Sequence, residues 1–237
     1  QNIPVRTAEG RRLREYFNAP AGRVLCDADY SQIELRVLAS MSGDTNMINA
    51  FGSGTDIHTV TASQVFGLPQ DMITPELRSR AKAVNFGIVY GIGAFSLSKD
   101  IGVTRAEADR YIKSYLAAYP GVAAYMEKAI EDAKKNGFVT TLYGRRRYIP
   151  ELSNSNGNMR AFGERVARNA PIQGTAADIM KIAMIKVSRS LKDEFPTARL
   201  ILQVHDELIV ECDEKDAEDI CTLLEREMEN AADLAVR

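Results

Sequence analysis

Between residues 24 and 41 the hydrophobic period of this chain changes from that of a strand to that of a helix, and an aspartate stands close to the change. Val24-Leu25-Cys26-Asp27-Ala28 is short, apolar-biased and preceded by Gly22, the pattern of a buried strand. Ile33, Leu35, Val37, Leu38 and Met41 then fit a packed helix, with Gly43 placed to stop it. Asp29, which opens Asp29-Tyr30-Ser31-Gln32-Ile33-Glu34-Leu35-Arg36, is therefore held by a rigid element on either side, where open sheets tend to put their chemistry. A plainer reading uses the same residues. Asp29 or Ser31 serves as an N-cap, and Ser31-Gln32-Ile33-Glu34 as a capping box.

The chain has 237 residues, 45% of them hydrophobic, enough for one large domain or two small ones. No apolar run reaches the roughly 18 residues of a membrane span, and Gln1-Asn2-Ile3-Pro4 lacks a signal-peptide pattern. A soluble, cytoplasmic protein with no membrane partner is expected, and the abrupt start reads as a piece of a longer chain. Cys26, Cys212 and Cys221 are too few and too scattered for a disulfide framework or a zinc site, which favours a reducing compartment. The net charge of −2 argues mildly against a nucleic-acid partner, but its distribution points the other way. Basic residues gather in 6–14, 78–82, 145–147 and 160–168, while acids concentrate in 213–233.

Taken in order, residues 1–19 read as an extended lead-in with an Arg-rich stretch, and residues 46–119 as mostly helical. Thr74-Pro75-Glu76 supplies an N-cap, a first-turn proline and an early acid for a helix over 75–90. On it Arg78, Lys82, Phe86 and Tyr90 recur every four residues, so two cations and two rings share one broad face. Such a face suits a triphosphate and a base, although rings in the core beside surface cations would give the same spacing. Gly87, Gly91 and Gly93 weaken the end of this helix. Thr104-Arg105-Ala106-Glu107 is a capping box, and another helix follows over 122–135. Residues 138–149 read as a hairpin with a basic tip around Gly144.

Residues 158–195 are helical in pattern but contain Pro171, so a kink or break is expected near Ala170. Arg165, Asn169 and Gln173, spaced by four, present a guanidinium and two amides suited to sugar, phosphate and minor-groove acceptors. Leu200-Ile201-Leu202-Gln203-Val204 and Leu208-Ile209-Val210-Glu211 are strands apolar enough to be central, joined at His205-Asp206-Glu207. A last amphipathic helix over 214–234 covers the sheet. Carboxylates at strand ends without a Cys or His cluster suit a hard cation such as Mg²⁺. Two such cations can clamp an in-line phosphoryl transfer. Asp29 and Asp206 are the natural pair, although 177 positions separate them.

These stretches together resemble family A DNA polymerases. Asp29-Tyr30-Ser31-Gln32-Ile33-Glu34-Leu35-Arg36 resembles their motif A. Arg78, Lys82, Phe86-Gly87 and Tyr90-Gly91 resemble motif B, and Gln203-Val204-His205-Asp206-Glu207 motif C. Asn2-Ile3-Pro4-Val5-Arg6, Asp56-Ile57-His58 and the stretch from Asn169 to Asp178 also match in order and spacing.

The resemblance implies an α+β fold, an antiparallel-sheet palm (1–48 and 141–237) with an inserted helical fingers subdomain (49–140). It implies a template-directed DNA polymerase, a nucleotidyltransferase of replication and repair that binds primer-template DNA and deoxynucleoside triphosphates as a monomer. Asp29 and Asp206 would hold two Mg²⁺ ions with the Tyr30 carbonyl, supported by Glu207. Glu34 would be a steric gate against a 2′-hydroxyl. Gln32, His58, Arg78 and Lys82 would grip the triphosphate, with Lys82 also a general acid. Phe86 would stack on the incoming nucleotide and Tyr90 would mark the insertion site. Arg165, Asn169, Gln173 and His205 would contact primer and template. Relative to the family the chain is expected to lack a thumb, an exonuclease domain and the terminal strand and tail. A DNA-binding fragment without turnover is therefore the alternative, and a metal-dependent nuclease a distant third, since a nuclease has no evident need for the face from Arg78 to Tyr90.

Overall fold

The computed structural model describes residues 7–236, so the motif Asn2-Ile3-Pro4-Val5-Arg6 lies outside the described residues. In chain order the elements are α1 (Ala8–Arg14), β1 (Arg23–Asp29), α2 (Ile33–Ser42), α3 (Thr45–Gly52), α4 (Ile57–Phe66), α5 (Pro75–Val89), α6 (Ala94–Ile101), α7 (Arg105–Ala118) and α8 (Pro120–Asn136). They are followed by β2 (Phe138–Thr140), β3 (Arg146–Tyr148), α9 (Gly157–Glu194), β4 (Arg199–Val204), β5 (Glu207–Asp213) and α10 (Ala217–Glu229). Many helices with small antiparallel sheets make an α+β fold. The chain divides into two compact units, Gln1–Ile33 with Ala177–Asp233, and Glu34–Ala176 with Leu234–Arg237.

In the first unit β5 is the centre of an antiparallel sheet ordered β1-β5-β4. Its Leu208, Val210 and Cys212 are fully buried and alternate with half-buried residues, as a strand with one face on a core requires. β4 differs from the expectation that both apolar strands are central. It lies at the edge, with Ile201 and Leu202 about two-fifths exposed (42% and 41%), and its register with β5 shifts between Leu200 and Leu202. Apolar content predicted a strand here but not its rank in the sheet. Helix α10 packs on β1 and buries Ile220, Leu223, Leu224 and Met228. The register sets Arg23 opposite Asp213 at one end of the β1–β5 pair and Asp29 opposite Glu207 at the other. At the first end Arg23 clamps Glu211 (Nε to Oε1, 2.7 Å) and Asp213 (Nη1 to Oδ1, 2.8 Å).

Two expectations fail in this unit. The lead-in is not extended throughout, because Thr7 accepts a hydrogen bond from the Gly10 amide (3.1 Å) and caps the short helix α1. The cysteines, scattered in sequence, are not scattered in space. Cys26 and Cys212 face the same side of β1 and β5 with their Sγ atoms 3.5 Å apart. Burial, with the Cys212 and Cys221 thiols alongside, pushes the Cys26 thiol up to about 12, so it stays a thiol.

The second unit is built of helices around caps that the sequence announces. Asp56, Thr74 and Thr104 cap α4, α5 and α7 with their side chains, and Thr104 and Glu107 form the full capping box. Asp44 caps twice. Its Oδ1 accepts from the Met47 amide (2.9 Å) at the start of α3, and its Oδ2 from the Gly121 amide (2.7 Å) at the start of α8. The β2–β3 hairpin buries Val139 with Ile149, Leu152, Ala133 and Ala167. Of the kink or break expected near Ala170 there is no break, and helix α9 runs on through Pro171. The proline removes one amide donor, and the long ladder around it with buried Ala167, Ile172 and Thr175 carries the helix through.

Candidate functional site

In the first unit the strand ends bring the predicted acids together. β1 ends at Asp29, whose Cα partner is Glu207 at the start of β5, and the Tyr30 amide donates to the Asp206 carbonyl (3.1 Å). Only His205 and Asp206 separate β4 from β5, and His205 takes φ +54, a left-handed backbone that glycine would adopt at less cost. The turn thus aims Asp206 beside Asp29. Burial raises the Asp29 carboxyl above the usual carboxylate range, and the Asp206 and Glu207 charges raise it further. The Tyr30 hydroxyl donates to the Met228 carbonyl of α10 (2.6 Å), which fixes the side chain. Gln32 also has positive φ (+53) and immediately precedes α2. That conformation overturns the capping-box reading: the helix starts at Ile33, so Ser31 is one residue too early to cap it.

This arrangement fits a hard divalent cation. The crowding that raises the proton affinity of Asp29 is relieved by a cation between the carboxylates, and Mg²⁺ takes one or two carboxylates and completes its shell with other oxygens. Among the described residues no group of three or more His, Cys, Asp or Glu side chains forms a ready metal cage. Asp29 and Asp206 could supply part of a ligand set of the kind that main-chain, water and phosphate oxygens complete.

In the second unit the four-residue spacing on α5 becomes one continuous face. Lys82 Nζ stands 5.9 Å from the Phe86 ring centroid, and Phe86 and Tyr90 lie 6.1 Å apart with their planes within 16°. His58, on α4, meets Phe86 at 6.0 Å. Tyr90 donates its hydroxyl to Glu34 Oε2 on α2 (2.9 Å), which gives Glu34 a partner other than a cap. Arg78 forms a two-pronged pair with Asp56, Nε to Oδ2 at 2.9 Å and Nη2 to Oδ1 at 2.8 Å. Burial opposes ionisation of Asp56, but hydrogen bonds from Arg78 and Thr59 pull it down to about 2. Burial also lowers His58, with Asp56 opposing and the Arg78 and Lys82 charges reinforcing.

The row on α9 is present as well. Arg165 and Gln173 are exposed, and Asn169 is half-buried with its Oδ1 lacking a hydrogen-bond partner among the described residues. Gly91, at φ +65, lets the chain turn past Arg165: a Cβ there would stand 3.3 Å from Arg165 Cγ. The basic tip, Arg145-Arg146-Arg147, is exposed beside Gln173 and Gly174. Sequence reasoning did not assign Asn85, Thr61 or Asp44 any role. A buried Asn on the apolar side of α5 was the available signal for the first.

The family model for DNA polymerase family A matches residues 1–237. The chain belongs to DNA polymerase family A. Among its relatives in that family, DNA polymerase I of Caldicellulosiruptor bescii is 50% identical over 236 residues, which are 100% of this chain and 28% of the relative. DNA polymerase I of Pseudomonas aeruginosa is 52% identical over 236 residues, 26% of its length. The chain thus spans about a quarter of these family A relatives. A solved structure, the POL domain of Pol1 from M. smegmatis in complex with DNA primer-template and dNTP, matches with a TM-score of 0.93 at 44% identity, over 99% of this chain and 42% of that one.

Proposed function

We propose that this chain is the catalytic core of a DNA-directed DNA polymerase, with a palm (1–48 and 141–237) and inserted fingers (49–140), that adds deoxynucleotides to a primer 3′ end. The observation that carries the reading is the convergence of Asp29, Asp206 and Glu207 at one end of the β1–β5 pair, supported by membership of family A. Asp29, Asp206 and the Tyr30 carbonyl would hold two Mg²⁺ ions, with Glu207 in support, and the bound metal would stabilise charge on the attacking and leaving oxygens. In the reaction the primer 3′-oxygen bonds to the α-phosphorus, the bond from that phosphorus to the α–β bridging oxygen breaks, and pyrophosphate leaves.

The other residues bind and orient. Arg78, Lys82, His58 and Gln32 hold the triphosphate, and Lys82 Nζ gives a proton to the departing pyrophosphate. Phe86 stacks on the incoming nucleotide, Tyr90 closes the insertion site, and Glu34 occupies the space a 2′-hydroxyl would need. Arg165, Asn169, Gln173 and His205 contact primer and template, chemistry that the exposed Arg165 guanidinium and Gln173 amide suit. No described helix is long and apolar enough to cross a membrane, which supports a cytoplasmic setting, and a monomer suffices for this chemistry.

Single-nucleotide primer extension with Mg²⁺, run beside Asp206→Ala, tests the reading. Extension by the chain and none by the variant is expected. Equal extension by both would sink the metal assignment. Primer-template binding without extension by the unaltered chain would assign it to binding without turnover.

A further inference from the structure

A chain of buried polar side chains runs behind His58, and its members come from three segments that otherwise pack by apolar contact. His58 is 2% exposed, and Asn85 and Thr61 are fully buried at 0%. Asn85 Nδ2 lies 3.0 Å from His58 Nδ1, Thr61 Oγ1 donates to Asn85 Oδ1 (3.2 Å), and the Tyr119 hydroxyl lies 3.4 Å from Thr61 Oγ1. Buried groups of this kind are costly unless each donor finds an acceptor, so the proton positions follow from satisfaction.

Thr61 has one proton. If it goes to Asn85 Oδ1, the Tyr119 hydroxyl donates to Thr61 and every member is satisfied. With the Asn85 amide turned over, its Nδ2–H would face Thr61 Oγ1, and of the Thr61 and Tyr119 protons only one would find an acceptor among the described residues. A buried donor left so pays its full desolvation penalty. The direction of the chain is therefore set from Tyr119 toward His58.

We infer that Asn85 is a positioning residue that holds His58 as the Nε2–H tautomer, so that the imidazole offers a hydrogen-bond donor to the triphosphate of an incoming nucleotide. The opposite tautomer would present a lone pair to an anion. The inference deepens the proposed role of His58 and rests on it for the ligand, but the tautomer itself stands on the geometry. The groups acting on the ring agree with a neutral imidazole. Burial, Arg78 and Lys82 from α5 disfavour the cation, and Asp56, before α4, opposes them while engaged with Arg78.

The chain contains two histidines, His58 and His205, so long-range ¹⁵N–¹H spectra of the histidine-labelled protein resolve both rings, and His205→Gln assigns them. Without nucleotide at pH 7.5, His58 is expected to be neutral with its proton on Nε2. In Asn85→Asp the carboxylate can only accept, so the proton moves to Nδ1. Thr61→Val, close to isosteric, frees the amide to turn over and gives a mixture of tautomers. Circular dichroism shows that each variant is folded. An Nδ1–H ring or an imidazolium in the unaltered chain overturns the inference, as does an Nε2–H ring that persists alone in Thr61→Val. In primer extension, Asn85→Asp is expected to raise the nucleotide KM about tenfold with kcat within about twofold. An unchanged KM, with the tautomer moved, overturns the link to the triphosphate. An unaltered chain that extends nothing yet shows the Nε2–H ring overturns the proposed activity and supports the tautomer assignment.

Discussion

The Tyr90 hydroxyl donates a 2.9 Å hydrogen bond to Glu34 Oε2, tying the last ring of the α5 face to the first turn of α2. A carboxylate held this way keeps its volume in one place, which a steric gate requires. Glu34→Ala is expected to lower discrimination against ribonucleotides by about tenfold or more. Tyr90→Phe keeps the stack on Phe86 and removes only the tether, so its effect should be smaller, about three- to tenfold, the range of one hydrogen bond. Competing incorporation of ribo- and deoxynucleotides opposite one template base measures both. Unchanged exclusion in Glu34→Ala would remove the gate from the reading.

Asp29 couples the acidic strand ends to stability. Burial raises its carboxyl in the folded protein, with Asp206 and Glu207 adding to the shift, so the folded state binds this proton more tightly than the unfolded chain does. The associated stability is full below the unfolded carboxylate value and is lost as pH rises through the raised folded value. At neutral pH and without metal, Asp29→Asn is therefore expected to raise Tm, modestly because the carboxyl is only partly withdrawn from water, while abolishing incorporation. Adding Mg²⁺ should raise Tm of the unaltered chain and leave that of Asp29→Asn nearly still. Thermal melts at pH 4 and 7.5, with and without Mg²⁺, read all of this. A lower Tm for Asp29→Asn at neutral pH would contradict it.

What the sequence made legible was what one element carries by itself. The α5 face could be read because Arg78, Lys82, Phe86 and Tyr90 share a single helix whose pitch is known, and the caps at Thr74 and Thr104 because they are local. The approach of Asp29 to Asp206 depends on the register of β1 with β5, which no local pattern encodes. The same is true of Cys26 beside Cys212 and of the edge position of β4. Backbone exceptions were hidden for another reason. Gln32 and His205 hold positive φ without being glycine, so composition gave no sign of the left-handed backbone at either place, although the turn at His205-Asp206-Glu207 itself was read. The polar chain from Tyr119 to His58 joins α4, α5 and the end of α7, and its members other than His58 each looked like an ordinary helix residue.

Asp44 is predicted to be worth two caps. Its Oδ1 serves α3 and its Oδ2 serves α8, at 3% exposure, so Asp44→Ala strands amide donors at two helix starts. A loss of about 2–3 kcal/mol is expected, roughly twice a single N-cap. Asp44→Asn keeps one acceptor and turns a donor toward the other helix, so it should fall about midway. Urea unfolding of the three proteins gives the order. Equal stability of Asp44→Asn and Asp44→Ala would show that only one of the caps contributes.

The basic hairpin is locked to α9 by a contact that admits no further carbon atom. Thr141 Oγ1 accepts from the Tyr143 and Arg145 amides (both 3.2 Å), the Leu142 amide donates to Thr175 Oγ1 (3.0 Å), and a Cβ on Gly174 would stand 2.6 Å from Thr141 Cγ2. Gly174→Ala must push the hairpin off the helix or distort Thr141, an overpacking cost of about 1–3 kcal/mol. The better helix propensity of alanine offsets about 1 kcal/mol of that. Thr141→Ser deletes Cγ2 and keeps the oxygen that organises the turn, so it alone should cost little. Combined with Gly174→Ala it makes room for the new methyl, and the double variant should regain the loss or exceed the unaltered chain. A double-mutant cycle in urea is expected to give a favourable coupling of about 1–2 kcal/mol. Because the lock sets where Arg145-Arg146-Arg147 stand, Gly174→Ala should also weaken primer-template binding, and Thr141→Ser should restore it in the double variant. Additive losses in the cycle would mean that Gly174 serves the helix for a reason other than Thr141.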